Sequence, residues 1–143
     1  MALSRSQVMA RVRASDTRPE RVVRSIVHNL GYRFRLDGRH RGQKLPGKPD
    51  LVLARLRAAI FVHGCFWHQH DCPRGDRRPA TNAEYWNAKL QRNIERDARV
   101  QRKLRSARWR VLVVWECELK DADKLRRRIR AFLQRSERAV ASP

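Results

Sequence analysis

Asp50-Leu51-Val52-Leu53-Ala54-Arg55-Leu56-Arg57-Ala58-Ala59-Ile60-Phe61-Val62-His63 holds two apolar, β-prone runs separated by a short basic stretch. Residues 50–54 and 58–63 read as two strands of a hairpin joined around 55–57. Upstream, Thr17 and Glu20 have capping-box spacing and Pro19 sits in a first helical turn. Val22, Val23, Ile26, Val27 and Leu30 make one apolar helix face, which Gly31 ends. Residues 32–36 can start a strand, and 37–46 are polar enough to be a loop. Residues 1–16 form a basic arm.

Downstream, residues 64–80 are a loop rich in Cys, His, Pro and Gly. A second capping box, Thr81 to Glu84, predicts a long helix to about Ser106. Residues 109–115 are nearly all apolar, the pattern of a buried central strand. Asp121 or Asp123 caps a last helix carrying Leu125, Ile129, Phe132 and Leu133, with a tail expected to fray from about Glu137. The expected architecture is one α/β domain spanning 1–143, a mixed sheet flanked by helices.

The 143 residues carry 34 Lys+Arg against 14 Asp+Glu, a net charge of +20 and a pI near 11.6. A field of that sign attracts polyanions, with nucleic acid first among them. Charge alone does not separate DNA from RNA, and an acidic protein partner is the competing reading. No apolar segment opens the chain and no run approaches a membrane span, so a cytoplasmic location with reduced thiols is expected. Three cysteines are a poor disulfide framework and suit a metal better.

The densest chemistry is Gly64-Cys65-Phe66-Trp67-His68-Gln69-His70-Asp71-Cys72, with Cys117 just after the 109–115 run. Three thiols and one imidazole make a closed zinc set. Spacing leaves open which histidine completes it. Asp50 follows Pro49 at a strand start, where it can offer oxygen to Mg²⁺ or simply shape a turn. Asp97 falls on the helix side shared by Trp86, Leu90 and Leu104, beside Asn93. A carboxylate there needs a cation, either a metal or an arginine. Phe66 and Trp67, in the loop, are expected to be exposed rings available for stacking or wedging into bases, with Trp86 near them.

Pro49-Asp50, Phe61 through Cys72, Asn93-Ile94-Glu95-Arg96-Asp97 and Val113-Val114-Trp115-Glu116-Cys117 together resemble the very short patch repair endonucleases. The similarity runs from about residue 5 to 133. It implies a restriction-endonuclease-like fold related to the PD-(D/E)xK nucleases, with a structural Zn²⁺ and a catalytic Mg²⁺. The implied reaction nicks the T-bearing strand 5′ to T at a T:G mismatch, starting repair of deaminated 5-methylcytosine. By position, Asp50 and the Val62 carbonyl would contact Mg²⁺ directly, and Glu20 and Asp97 would hold its waters. His68 would be the general base, replacing the lysine of the broader motif, with His63 near the scissile phosphate. Cys65, His70, Cys72 and Cys117 would hold zinc, and Phe66, Trp67 and Trp86 would wedge beside the mismatch. Val62 departs from the family, where threonine occurs. A cytosine-5 DNA methyltransferase is the implied functional partner, with mismatch-repair proteins as further candidates. The enzyme is expected to act as a nucleoid-associated monomer, with no membrane partner. The competing readings are a related nuclease without mismatch preference and a zinc-dependent DNA-binding module without catalysis.

Overall fold

Strand β4 (Ala58–His63) lies at the centre of a three-stranded sheet, between β3 (Leu51–Leu53) and β5 (Arg110–Trp115). The computed structural model describes residues 17–73, 75 and 80–141; the basic arm at 1–16 lies outside them. The remaining elements are α1 (Arg18–Asn29), a small ladder of β1 (Arg39–His40) with β2 (Gln43–Lys44), α2 (Ala83–Ser106) and α3 (Ala122–Ala141). Short 3₁₀ turns follow β3 (Ala54–Leu56) and β5 (Glu116–Lys120).

The expected hairpin is present: β3 pairs antiparallel with β4, Leu51 opposite Ile60 and Leu53 opposite Ala58. Arg57 closes its turn in the left-handed region at φ 48°. β4 then pairs in parallel with β5 from Ala58↔Arg110 to His63↔Trp115. Parallel neighbours need a long crossover, and residues 64–109, including α2, supply it.

Side chains alternate across the strands, so β4 feeds two cores. Ala58 and Ile60 pack with Val23 and Val27 of α1 and Leu125, Ile129 and Leu133 of α3. Ala59 and Phe61 face Leu104 of α2 and Trp109. The result is mixed α/β, with helices over both faces of the sheet. Among the described residues no helix is long and apolar enough to cross a membrane.

Several local expectations are corrected. The central strand is β4; β5 is flanked on one side only, and its burial is correspondingly partial. Thr17 makes no side-chain cap, and Glu20 instead meets Arg24 one turn on. α2 starts at Ala83 after Asn82 in the left-handed region, so the Thr81 box does not form. Residues 32–36 contribute a single bridge, Arg35↔Val52, rather than a strand. The 37–46 loop contains the β1–β2 ladder. Asp121 caps α3, accepting the Lys124 N–H at 3.1 Å. α3 does not fray at Glu137, because Ser136 is buried against the sheet. Its hydroxyl donates to the Phe132 carbonyl and accepts from Arg110 Nε at 3.1 Å.

Candidate active site and metal cluster

The hairpin register delivers the first carboxylate. Asp50 stands just before β3, and its Oδ2 accepts the Val62 N–H at 2.7 Å, extending the ladder through a side chain. Burial raises the Asp50 carboxyl to about 6; the Val62 hydrogen bond opposes this, nearby Glu20 adds to it, and Arg24 and His68 oppose it. α1 brings Glu20 there from its first turn, paired with Arg24 at 3.3 Å. Val62's side chain packs against the α1–α3 core, so its backbone is what it offers the site.

Beyond β4 the chain turns tightly. His68 N–H donates to the Gly64 carbonyl at 3.2 Å and His70 N–H to the Cys65 carbonyl at 3.0 Å. Gln69 takes a φ of 50° between them. The turn lays the His68 ring over His63 with centroids 3.7 Å apart and planes 4° from parallel. His68 Nδ1 meets Asp97 Oδ2 of α2 at 2.5 Å, so the carboxylate on the inward face of the helix has a hydrogen-bonding partner in the loop histidine. That bond holds a proton on Nδ1 and leaves Nε2 as the acceptor. Burial, and then His68, push His63 down to about 3, so its ring is neutral. Its Nδ1 is buried without a hydrogen-bond partner among the described residues. The donors of His63, His68 and Asp97 lie within 4.8 Å of one another. Parallel rings direct their in-plane lone pairs along separate planes, however, and the trio suits proton handling better than chelation.

The parallel register builds the second cluster. Because His63 pairs with Trp115, Cys65 and Cys117, each two residues further on, emerge side by side. His70 and Cys72 join them, and all four donor atoms lie within 4.8 Å. Cys117 Sγ is 3.5 Å from His70 Nδ1, and Gly75 N–H donates to Cys72 Sγ at 3.4 Å. Burial raises the Cys65 thiol to about 12, helped by the neighbouring thiols. Three soft sulfurs and one imidazole fit a tetrahedral metal without a free position. A Cβ on Gly75 would stand 1.8 Å from the His70 carbonyl oxygen, so only glycine closes this loop.

Sequence reasoning missed three contributors. Trp115, expected in the core, is the wall between the clusters. It stacks on His70 at 4.2 Å and meets the His63 and His68 rings edge-on at 5.3 and 6.3 Å. Glu116 Oε1 accepts the Cys65 N–H at 3.2 Å, and Arg24, paired with Glu20, places its charge where it acts on the Asp50 carboxyl. The one available signal was alternation, which places Trp115 beside Cys117 at the end of β5.

Phe66, Trp67 and Trp86 do come together, with centroids 5.2 to 6.0 Å apart. The expected exposure of Trp67 is corrected: it is 8% exposed. Trp86 and Lys89 cover it, Lys89 Nζ lying 5.4 Å from its ring, while Asn93 Nδ2 donates to its carbonyl at 3.2 Å. Phe66 and Trp86 are half-buried and Tyr85 is exposed.

A basic α/β chain that joins a buried carboxylate to an oriented imidazole has the equipment of a nuclease. The family model for DNA mismatch endonuclease Vsr matches residues 2–74. The chain is 41% identical over 122 residues to DNA mismatch endonuclease Vsr of Escherichia coli K12, covering 85% of this chain and 75% of that protein. It is 47% identical over 132 residues to Type II nicking enzyme V.XorIIP of Xanthomonas oryzae pv. oryzae, covering 92% and 93%. With Type II nicking enzyme V.NaeI of Lentzea aerocolonigenes the identity is 48% over 120 residues, covering 82% and 71%. The protein belongs to the Vsr family of DNA mismatch endonucleases and related nicking enzymes.

Asp50 carries a stability signature. Its folded pKa near 6 lies above the ordinary 3.8, so its protonated form supports folding at low pH and that support is lost as pH rises through 6. Without added divalent cation, Asp50→Asn should therefore be more stable than the natural protein above pH 6, by up to about 3 kcal/mol. The difference should vanish near pH 4. Thermal midpoints across pH 4–8 measure it, and a gain independent of pH would contradict the raised carboxyl.

Proposed function

We propose that the protein nicks the T-bearing strand 5′ to T at T:G mismatches in duplex DNA, with Mg²⁺ at the catalytic site and Zn²⁺ in the cysteine cluster. The observation that carries the catalytic part is the His68–Asp97 pair beside Asp50. The mismatch part rests on the family. The proposed fold is restriction-endonuclease-like, in a single domain acting as a monomer.

Asp50 and the Val62 carbonyl would hold Mg²⁺, and Glu20 and Asp97 would support it from further out. When bound, Mg²⁺ supplies polarisation of the scissile phosphate and stabilisation of the charge that develops on it. Valine at 62 is harmless to this arrangement, which uses only the backbone. His68 Nε2 takes the proton from the attacking water, while Asp97 fixes the ring and stabilises its charged form. His63, kept neutral by burial, has one N–H to give and directs it to a non-bridging phosphate oxygen. No lysine is needed for proton transfer.

Cys65, His70, Cys72 and Cys117 would hold zinc, which would fix the turn that carries His68. Phe66, Trp67 and Trp86 form the wedge, and Trp67 must leave its buried position under Lys89 to enter the stack. A product nicked beside a T:G pair is the opening of very short patch repair. The complementary activity is a cytosine-5 DNA methyltransferase, whose product yields T:G pairs on deamination.

End-labelled duplexes with one T:G pair in varied flanks, incubated with zinc-loaded protein and Mg²⁺ beside matched controls, test the reading. A single nick 5′ to T is expected, absent with Asp50→Ala. Equal cutting of matched DNA would replace it with a nuclease lacking mismatch preference; binding without cutting would leave a DNA-binding module. The two loop histidines separate by metal analysis. His70→Ala should lose zinc and fold poorly, whereas His68→Ala should keep zinc and lose nicking by about 10²–10⁴. Equal zinc content in both variants would overturn the division of labour.

A further inference from the structure

Lys89, Arg92, Arg96, Arg99 and Lys103 recur at alternating steps of three and four along α2. At 3.6 residues per turn this spacing puts them in one stripe. It flanks the row Trp86, Leu90, Asn93, Asp97, Val100 and Leu104, which faces the site and the second core. The opposite flank is poorer in charge: Asn87, Gln91, Ile94, Ala98 and Gln101 are uncharged, and the cations at its border are Arg102 and Arg105 near the helix end. A merely solubilising surface has no reason to be one-sided in this way.

The stripe is joined to the catalytic groups at one end. Lys89 Nζ stands 5.4 Å from the Trp67 ring and 5.6 Å from the Trp86 ring. Arg96 donates to Asn93 Oδ1 at 3.2 Å, and its charge acts on buried His63. Along the rest of the stripe, Arg92, Arg99 and Lys103 are exposed. Among the described residues no carboxylate pairs with any of these three. On the α1–α3 side of the sheet Arg128 is committed to Glu118 at 2.6 Å and Arg24 to Glu20, while Arg127 and Arg130 of α3 are exposed and stand away from the aromatic cluster's helix.

We propose that this stripe is a rail for the sugar-phosphate backbone of the DNA duplex. It guides the arm on one side of the nick along α2, away from the aromatic cluster. The inference rests on the nuclease reading and adds the direction and length of the DNA path. From Lys89 to Lys103 the helix rises about 21 Å, matching roughly six steps of duplex at 3.4 Å each. Cations spaced along a straight helix suit a regular array of phosphates, and none of them needs to read a base.

The test is equilibrium binding by fluorescence anisotropy on the full, zinc-loaded chain, without added Mg²⁺ so that nothing is cut. Duplexes, both T:G and matched, carry arms trimmed by six base pairs on one side or the other. The natural protein should lose affinity when one particular arm is trimmed and not the other. In the double variant Arg99→Gln with Lys103→Gln that arm dependence should disappear. The log–log salt slope should become shallower by about 1.8, from −0.9 for each phosphate released. Arg127→Gln with Arg130→Gln on α3 removes the same charge and should keep the arm dependence, with circular dichroism and thermal midpoints showing both doubles folded. Equal effects of the two doubles, or arm dependence surviving in Arg99→Gln with Lys103→Gln, would overturn the rail. Because the salt slope is read on matched duplexes as well, loss of the rail's cations and loss of mismatch preference are read separately.

Discussion

The pairing of β4 with β5 is the constraint on which the rest depends. Six parallel residue pairs end at His63↔Trp115, and everything chemical begins at or just beyond that last pair. One register sets the wall of the histidine pair, the two thiols beyond it and the turn between. A slip of one residue would exchange the faces of every side chain in β5 and part Cys65 from Cys117. The two apolar cores hold the register, because Ile60 and Phe61 each have a filled face to meet.

The site departs from what a sheet alone would provide by making the loop after β4 double back. The cysteine cluster and its glycine closure hold that loop, and the same turn that aims His70 at sulfur aims His68 at Asp97. Trp115 lies between the two clusters, in contact with both. The cluster and His68 are therefore neighbours, and three of the cluster's four donors share one nine-residue string with that ring. The buried Asp50, its carboxyl raised to about 6, works against stability above that pH.

Much of this was legible in the sequence. The 3.6-residue and two-residue periods located α1, the β3–β4 hairpin, β5 and α3, because those elements bury one face or both. The four soft donors were legible as a set, since thiols and imidazole so close in one loop have few other uses. What was not legible came from long-range geometry. Nothing local says that β4 rather than β5 is central, which depends on where β3 adds. The burial of Trp67 arises from Trp86 and Lys89, far along the chain. Both predicted capping boxes failed because spacing specifies a possible hydrogen bond while the actual chain entry, with Asn82 left-handed and Glu20 drawn to Arg24, satisfies the groups otherwise. The choice between the two loop histidines came from the resemblance; in the structure His70 stands among the three thiols and His68 against Asp97.

The central claim is that Asp97 orients His68 as the base while the cysteine cluster only supports it. The most direct measurement is the single-turnover nicking rate of Asp97→Asn on a T:G duplex, with zinc content and DNA affinity determined on the same preparation. The account predicts a rate lower by about 10²–10⁴ with zinc and affinity retained, since the amide leaves the ring without its charged partner. A rate equal to that of the natural protein would contradict it, leaving the His68–Asp97 contact a structural ion pair.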